Sequence, residues 1–500
     1  MKDIKVLFIH PQIPTTFWGF KYALKFISKK AASPPLGLLT IAAMAPKKWG
    51  KKFIDVNTSR LKNKYLRWAD YVFISGMELQ RDSAREIIDR CRNFGVKIVA
   101  GGPLFTIEYR DFDDVDHLFI GESENTFPQF LEDLDNGVPK HIYWAKEFPD
   151  ITKTPIPLWE IVNKKKYSLM SIQYSRGCPF NCDFCSVTML NGHQPRTKTA
   201  EQIINELEAL YNWGWRGGVF FVDDNFIGNR KQVKKKLLPT IAHWMEEKRY
   251  PFTFSTQLSL DLADDEELMQ LMIKAGFQSL FVGIETPHEE SLKECAKYQN
   301  VGRNLMDSIK CIQQYGLEVQ GGFILGFDND PESIFVRLAE FIQNSGIITA
   351  MVGLLTAAKG TRLYNRLEAE NRLLEKTSGN NTDCSLNFIP KMGYETLIHG
   401  YKNVLSTIYS PRHYYERIRN FLKEYKPPRL RPIHFHIMHL EAFIKSIVLL
   451  GFIGREKLDY WRLLFWSLFK RPYLLPTAVT FAIYGYHFRR TFAEYLKNIR

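Results

Sequence analysis

The sequence predicts an α/β protein in three parts: a doubly wound parallel sheet, a partial (β/α)6 barrel and a helical C-terminal region. Three observations carry this. Residues 1–135 and 168–358 each alternate short apolar, β-branched runs with longer stretches of helical periodicity. Between them, residues 138–167 hold Pro139, Pro149, Pro155 and Pro157 with little periodicity, as an extended linker does. Beyond residue 376 the strand signals stop and aromatic-rich helical runs take over. The expected divisions are therefore 1–137, 138–167, 168–375 and 376–500.

Strands of the first part read from VLFIH (6–10), KFIDV (52–56), YVFIS (71–75), VKIVA (96–100) and HLFIG (117–121). Helical patterns lie between and after them in LGLLTIAAMAPKKW, RDSAREIIDRCRNF and TFPQFLEDLDN. That order implies parallel strands, whose carboxyl ends are where ligands bind in open α/β sheets. Those ends carry His10, Asn57, Ser75-Gly76, Gly101-Gly102 and Gly121-Glu122. The glycines either serve plain turns or let the backbone approach a large flat ligand. No G-x-G-x-x-G follows the first strand, so a dinucleotide is not favoured.

In the barrel part the strands read as 168–174, 218–224, 252–257, 279–285, 318–326 and 348–355, with helices at 198–213, 230–248, 264–275, 303–315 and 331–344. Each strand is apolar and turns polar at the same end, where barrel sites form. Cys178, Cys182 and Cys185 follow the first strand at C-x3-C-x2-C spacing. Three thiolates on one loop suit a cubane [4Fe–4S] cluster with one iron left open, whereas zinc would need a fourth ligand such as the nearby His193. Asp223-Asp224, Gln257, Glu285, Gly326 and Thr356 end the later strands. A solvated loop would account for such carboxylates, but a polar ligand beside the cysteines accounts for all the polar ends at once.

With seven cysteines in 500 residues and no signal sequence at MKDIKVLFIHP, a disulfide framework is not expected, and Cys91, Cys295, Cys311 and Cys384 read as ordinary buried thiols. The formal net charge is +13, yet residues 411–500 alone hold 17 Lys/Arg against 6 Asp/Glu. The first 410 residues are nearly balanced, which argues against nucleic acid as a partner of the cysteine-bearing part.

The tail opens on the loop 377–384 and a helix pair broken at Pro411 and stopped at Pro427-Pro428. AFIKSIVLLGFIG, YWRLLFWSLF and YLLPTAVTFAIYGYHF follow, flanked by Arg and Lys. The longest stretch without Asp, Glu, Lys or Arg, 472–488, has 17 residues and contains Pro476, short of the ~20 a spanning helix wants. These runs read as amphipathic helices that cap the barrel or lie in a membrane interface. His434, His436 and His439 invite a metal reading, but among so many aromatics they read as structural.

The cysteine spacing, its aromatic Phe184 and the polar strand ends of a six-unit barrel resemble the radical S-adenosylmethionine (SAM) superfamily. The preceding α/β part resembles the cobalamin-binding (Rossmann-like) domain of that superfamily's class B branch. Across nearly the whole chain, YSRGCPFNCDFC, RGGVFFVDDNFIGN, KIVAGGPLFT and IYSPRHYYERI are similar to the hopanoid C-2 methylase group.

The resemblance implies a [4Fe–4S] cluster on Cys178, Cys182 and Cys185, with the SAM amino and carboxylate groups on the fourth iron. It implies Phe184 beside the adenine, Gln257 and Glu285 on ribose or methionine atoms, and Gly322 to Gly326 along the adenine edge. Asp223 and Asp224 stand where the superfamily often has a Gly-Gly-Glu segment that meets the methionine amino group. Cobalamin would lie over His10, Asn57, Ser75, Gly76, Gly101, Gly102, Gly121 and Glu122. Many cobalamin domains carry Asp-x-His-x-x-Gly after the second strand. Here Asn57 stands at the imidazole position and Arg60 at the glycine, which implies a corrinoid without a lower histidine.

The implied chemistry is reductive cleavage of SAM to a 5′-deoxyadenosyl radical, hydrogen abstraction from an unactivated carbon, and methyl transfer from methylcobalamin to a hopanoid or related lipid. Relatives of this layout act on tetraether lipids or bacteriochlorophyll side chains. Radical C–C bond or ring formation on a membrane lipid without methyl transfer, or methylation of a tetrapyrrole side chain, is therefore the alternative. A non-catalytic iron–sulfur electron carrier is a further one, against which stand the incomplete cysteine set and the polar barrel rim. The expected setting is cytoplasmic, at the inner face of a membrane, with a flavodoxin- or ferredoxin-type electron donor.

Overall fold

The computed structural model describes residues 3–374, 378–380, 382–427 and 437–497. The first part is a parallel sheet of six strands, β1 (Lys5–His10), β2 (Gly50–Asp55), β3 (Tyr71–Ser75), β4 (Lys97–Gly101), β5 (His117–Ile120) and β6 (Ile142–Trp144), ordered β2-β1-β3-β4-β5-β6. Its inner strands β1, β3, β4 and β5 are mainly apolar runs because both faces are covered, whereas the edge strand β2 carries Lys51 and Lys52. Leu7, Ile9, Val72, Ile74 and Ile98 point to one side, where Ile87 and Ile88 of helix Arg81–Asn93 pack. Val6, Phe8, Phe73, Val99 and Phe119 point to the other, against helices Leu36–Met44 and Thr126–Asp135. The stretch expected to be only a linker contributes β6, paired parallel to β5 with Leu118 opposite Ile142. Three residues are too few to show a period, so the neighbouring strand, not local pattern, makes it a strand.

The second sheet holds β7 (Leu169–Ile172), β10 (Gly217–Phe221), β11 (Phe252–Leu258), β12 (Phe277–Glu285), β13 (Glu318–Leu325) and β14 (Ala350–Leu354), all parallel and in sequence order. A two-stranded ladder, β8 (Ser175–Arg176) with β9 (Arg196–Thr197), interrupts the count after β7. The expected helices form at 200–212, 266–275, 305–314 and 334–345. The fifth, 230–247, widens into a π-turn at Val233–Leu237 before Pro239, which cannot donate to the residue a turn back. Phe252, Phe254, Leu280, Val282, Val319 and Phe323 face these helices. The alternate set, including Gln257, Phe281, Gln320 and Met351, lines the concave face.

Two elements close on that concavity. The loop after β1 brings Trp18 edge-on to Phe281 (5.2 Å) and its indole N–H to Met351 Sδ (2.9 Å). The last helix, Leu475–Lys497, stacks Phe488 on Phe17 at 4.2 Å. Helices Tyr394–Ile408 and Pro411–Glu424 cap the barrel, with Pro411 at a first-turn position that needs no N–H. Among the described residues no helix is long and apolar enough to cross a membrane. His434 and His436 lie outside the described residues, and His439 is exposed. Cys91, Cys295 and Cys384 are buried as expected, while Cys311 is only half-buried, on the rim of its helix.

Candidate active site

The cysteine loop leaves the β7 end of the second sheet through Gly177, whose φ of +96° lies in the left-handed region. A Cβ there would sit 2.8 Å from Gly192 O and 3.0 Å from Asn191 O, so only glycine fits. The loop is then pinned by its backbone. Cys178 N donates to Gly192 O (3.2 Å), Cys185 N to Cys182 O (3.1 Å) and Asp183 N to Cys295 O (3.0 Å). Burial pushes all three thiols up, Cys185 to about 12, so something cationic must replace their protons if they are to serve as ligands. Among the described residues no three His, Cys, Asp or Glu side chains converge on a single-ion geometry. His193, the zinc alternative's fourth ligand, is exposed. Three thiols on one short loop fit the body of an iron–sulfur cubane.

Asp223 and Asp224, just past β10, grip the backbone on either side of this turn. Asp223 is fully buried; it accepts from Tyr174 N at 3.1 Å, from the Ser175 hydroxyl at 2.6 Å and from Ser175 N. Burial pushes its carboxyl up to about 7 while those donors pull the other way. Asp224 accepts from Gly177 N (2.8 Å) and Asn191 Nδ2 (2.9 Å).

Glu285, at the end of β12, pairs with Lys297 at 2.8 Å. Its φ is +67°, and the β12–β13 register shifts between Gly283 and Glu285. A Cβ at Gly283 would stand 2.3 Å from Glu285 Oε1 and 2.9 Å from Lys297 Nζ, so the pair folds back over a glycine. Burial draws the Lys297 pKa down, but Glu285 and the Cys182 thiol outweigh it and the net shift is upward. Gln299 reaches Cys182 Sγ at 3.8 Å. The strained Glu285 and the segment 295–299 thus embrace the cysteine loop from the far side.

Of the remaining expected contacts, Phe184 packs near Phe327 (6.3 Å), beside Gly326, whose φ is +106°. Gly322 has no room for a side chain, its Cβ falling 2.7 Å from the Phe281 ring. Gln257 sits half-buried on the concave face, and its carbonyl accepts from Phe226 N (2.9 Å).

A cavity of about 170 Å³ opens at the carboxyl ends of β3, β4 and β5. Ser75, Gly101, Gly102, Gly121 and Glu122 line it together with Thr40, and Arg176 forms part of its wall. At Gly102, φ +94°, a Cβ would fall 2.5 Å from Ser75 Oγ, so the glycine pair keeps the floor flat. A flat apolar slot floored by backbone suits part of a large cofactor such as a corrinoid. His10, Asn57 and Gly76 are not part of its lining. Burial lowers the His10 pKa, and its Nε2 lies 3.3 Å from Gln80 Nε2. Asn57 accepts from Ile13 N (2.7 Å) and donates to Asp55 Oδ1 (2.7 Å) and Pro11 O (3.1 Å). Its amide orders the loop after β1.

Arg176 joins the two regions. Its Nη1 meets Glu122 Oε2 at 2.5 Å and its Nη2 meets Glu124 Oε1 at 2.7 Å, while Arg196 also pairs with Glu122. Sequence reasoning passed over Arg176, Lys297, Gln299 and Trp18. Arg176 alone carried a signal, as a charge two residues before the first cysteine. The others sit in helix ends and loops without a period.

Comparison with known proteins agrees with this layout. Family models match as B12 binding domain over residues 27–131, Radical SAM superfamily over 172–342 and a domain of unknown function over 361–500. An uncharacterized methyltransferase of Synechocystis sp. is 38% identical over 97% of this chain and 91% of its own length. Hopanoid C-2 methylase of Rhodopseudomonas palustris is 33% identical over 92% of this chain and 88% of its own. The solved cobalamin-dependent SAM radical enzyme OxsB, with aqua-cobalamin bound, shares the fold at a TM-score of 0.63 and 13% identity, covering 100% of this chain and 80% of that one.

Proposed function

The chain belongs to the family of B12-binding radical SAM methyltransferases that includes hopanoid C-2 methylase, and on that premise we propose that it methylates an unactivated carbon of a hopanoid or related apolar lipid. When bound, the [4Fe–4S] cluster supplies the electron that cleaves SAM and the corrinoid supplies the methyl group. Residues 1–137 hold the corrinoid, 168–375 the cluster and SAM, and the tail from 376 caps the barrel.

The protein's own part is to hold and exclude. Cys178, Cys182 and Cys185 take the cluster. Phe184, Gln257, Glu285, Gly322 and Gly326 border the SAM site. Asp223 and Asp224 act by fixing the turn before Cys178, since both Asp223 oxygens and Asp224 Oδ2 accept from backbone, hydroxyl and amide donors there. Ser75, Gly101, Gly102 and Gly121 floor the corrinoid slot, with Gly76 next to Ser75. Asn57, bound to the loop after β1, offers no lower ligand to cobalt. Trp18, Phe281 and Met351 give the concave face an apolar, water-excluding lining suited to a lipid. A flavodoxin- or ferredoxin-type donor supplies electrons, and the tail touches the membrane that holds the substrate.

The observation that carries this reading is the Arg176–Glu122 pair, which sets the slot and the cysteine loop side by side. Anaerobically reconstituted protein given reductant, SAM, methylcobalamin and a hopene should form equal amounts of 5′-deoxyadenosine and a product one methylene heavier. A product lighter by two hydrogens, or a methylated one formed without cobalamin, would discard methyl transfer from the corrinoid. SAM cleavage with no change in the hopene would discard the hopanoid substrate.

A further inference from the structure

Residues 437–473 form a helical hairpin on the outside of the tail: helix Ile437–Ser446, a wide turn Ile447–Ile453, and a return helix Lys457–Lys470. Its inner side is core, with Leu450, Tyr460 and Leu463 buried and the Ser446 and Tyr460 hydroxyls 2.8 Å apart. Its outer side is apolar and bare. Leu440, Ile444, Val448 and Phe452 recur every four residues along one stripe, and Phe469 stands on the return helix; Phe452 is 67% exposed and Phe469 76%. Among the described residues, ten of the twenty-one exposed large hydrophobic side chains fall between 440 and 473. A patch this dense marks an interaction surface.

Charge says what it meets. Every exposed charged residue of the hairpin that is described is a cation: Arg455, Lys457, Arg462 and Lys470. The acids are engaged: Glu441 with Lys445 (2.6 Å), Glu456 buried against Arg489 (2.7 Å), and Asp459 3.8 Å from Arg462. Apolar and aromatic side chains ringed by cations suit the boundary between acyl chains and anionic headgroups. The hairpin's helices are too short to span, so it would lie in the plane of the interface.

The hairpin is also tied to the site. Lys445 Nζ donates to Lys25 O and Ser28 Oγ, both at 3.0 Å, and Ser28 Oγ donates to Glu441 (2.6 Å). Those partners lie in the same loop that carries Trp18 onto the concave face.

We infer that residues 437–473 are a membrane-docking face that seats on an anionic bilayer and holds the loop at 11–35 against it, so that an apolar substrate passes from the lipid to the concave face. The inference rests on the membrane contact in the function proposed above and gives it a surface.

The test is sedimentation of the full-length protein with vesicles of phosphatidylcholine, with and without one-quarter phosphatidylglycerol. Wild type should pellet with the anionic vesicles and release as salt rises. The double variant Phe452→Glu/Phe469→Glu should lose at least tenfold in partitioning, with unchanged melting temperature and unchanged SAM cleavage. Arg455→Glu/Arg462→Glu should lose the preference for phosphatidylglycerol. Wild type remaining in the supernatant with both vesicles, or binding untouched by both variants, overturns the inference. So does a dimer in light scattering that the phenylalanine substitutions dissociate, since the patch would then be covered by a second copy. Vesicle binding is read without substrate, so failure to methylate a hopene leaves this result standing and the two failures are separable.

Discussion

Arg176 Nη1 lies 2.5 Å from Glu122 Oε2, and both side chains are nearly buried, at 15% and 10% exposed. One residue stands two positions before Cys178; the other follows β5 and lines the glycine-floored slot. The ion pair therefore fixes the distance between the two regions whose chemistry must meet. Arg176 also holds Glu124, and with Arg196 on Glu122 two guanidiniums balance two carboxylates largely out of water.

Removing that guanidinium strands the buried Glu124 and leaves Glu122 to Arg196 alone. Arg176→Gln should cost about 3–5 kcal/mol by chemical denaturation, the range for breaking a buried pair. It should also weaken methylcobalamin retention on a desalting column. Arg176→Lys, which keeps the charge but not the fork, should fall between.

Cys182 is, as a whole residue, the most buried of the three cysteines and is the one Gln299 reaches. Cys182→Ala should abolish SAM cleavage and bring iron well below four per chain after reconstitution. Methylcobalamin binding should survive, because the slot shares no residue with the cysteine loop itself. Loss of both would mean the variant misfolds.

Lys297→Met leaves Glu285 buried beside Cys182 with no partner, at an expected cost of about 3 kcal/mol. Lys297→Met/Glu285→Gln should recover most of that stability, the coupling expected of neighbours in one pair. Gly283→Ala should resemble the single variant, since its methyl would occupy the place of the Glu285 oxygen. Denaturation midpoints of the three variants check this.

His487, fully buried, meets Phe17 O at 2.8 Å and has its pKa lowered by burial to about 4. The unfolded chain's imidazole takes up its proton near 6.5, well above that value. Between the two the unfolded state binds more protons, so stability on this account is complete above about 6.5 and falls with acid, by about 1.4 kcal/mol per unit. Denaturation from pH 7 to 4.5 should show that slope, and His487→Gln should flatten it by about one proton.

Much of this protein was legible in its sequence, for physical reasons. Two stretches of alternating strand and helix signals determined two parallel sheets, because burial on both faces demands apolar runs and crossovers demand helices. The cysteine spacing and the polar strand ends marked one mouth of the barrel, since the strand residues that face the helices must be apolar. What the sequence could not decide was which polar groups meet. Asp223 and Asp224 bind the cysteine loop's backbone, Asn57 binds the loop after β1, and Arg176, Lys297 and Trp18 come to the site from segments with no pattern of their own. Periodicity reports which face of an element is buried. Partners brought together by the packing of one sheet on another leave no trace in it, and tertiary structure alone decides them.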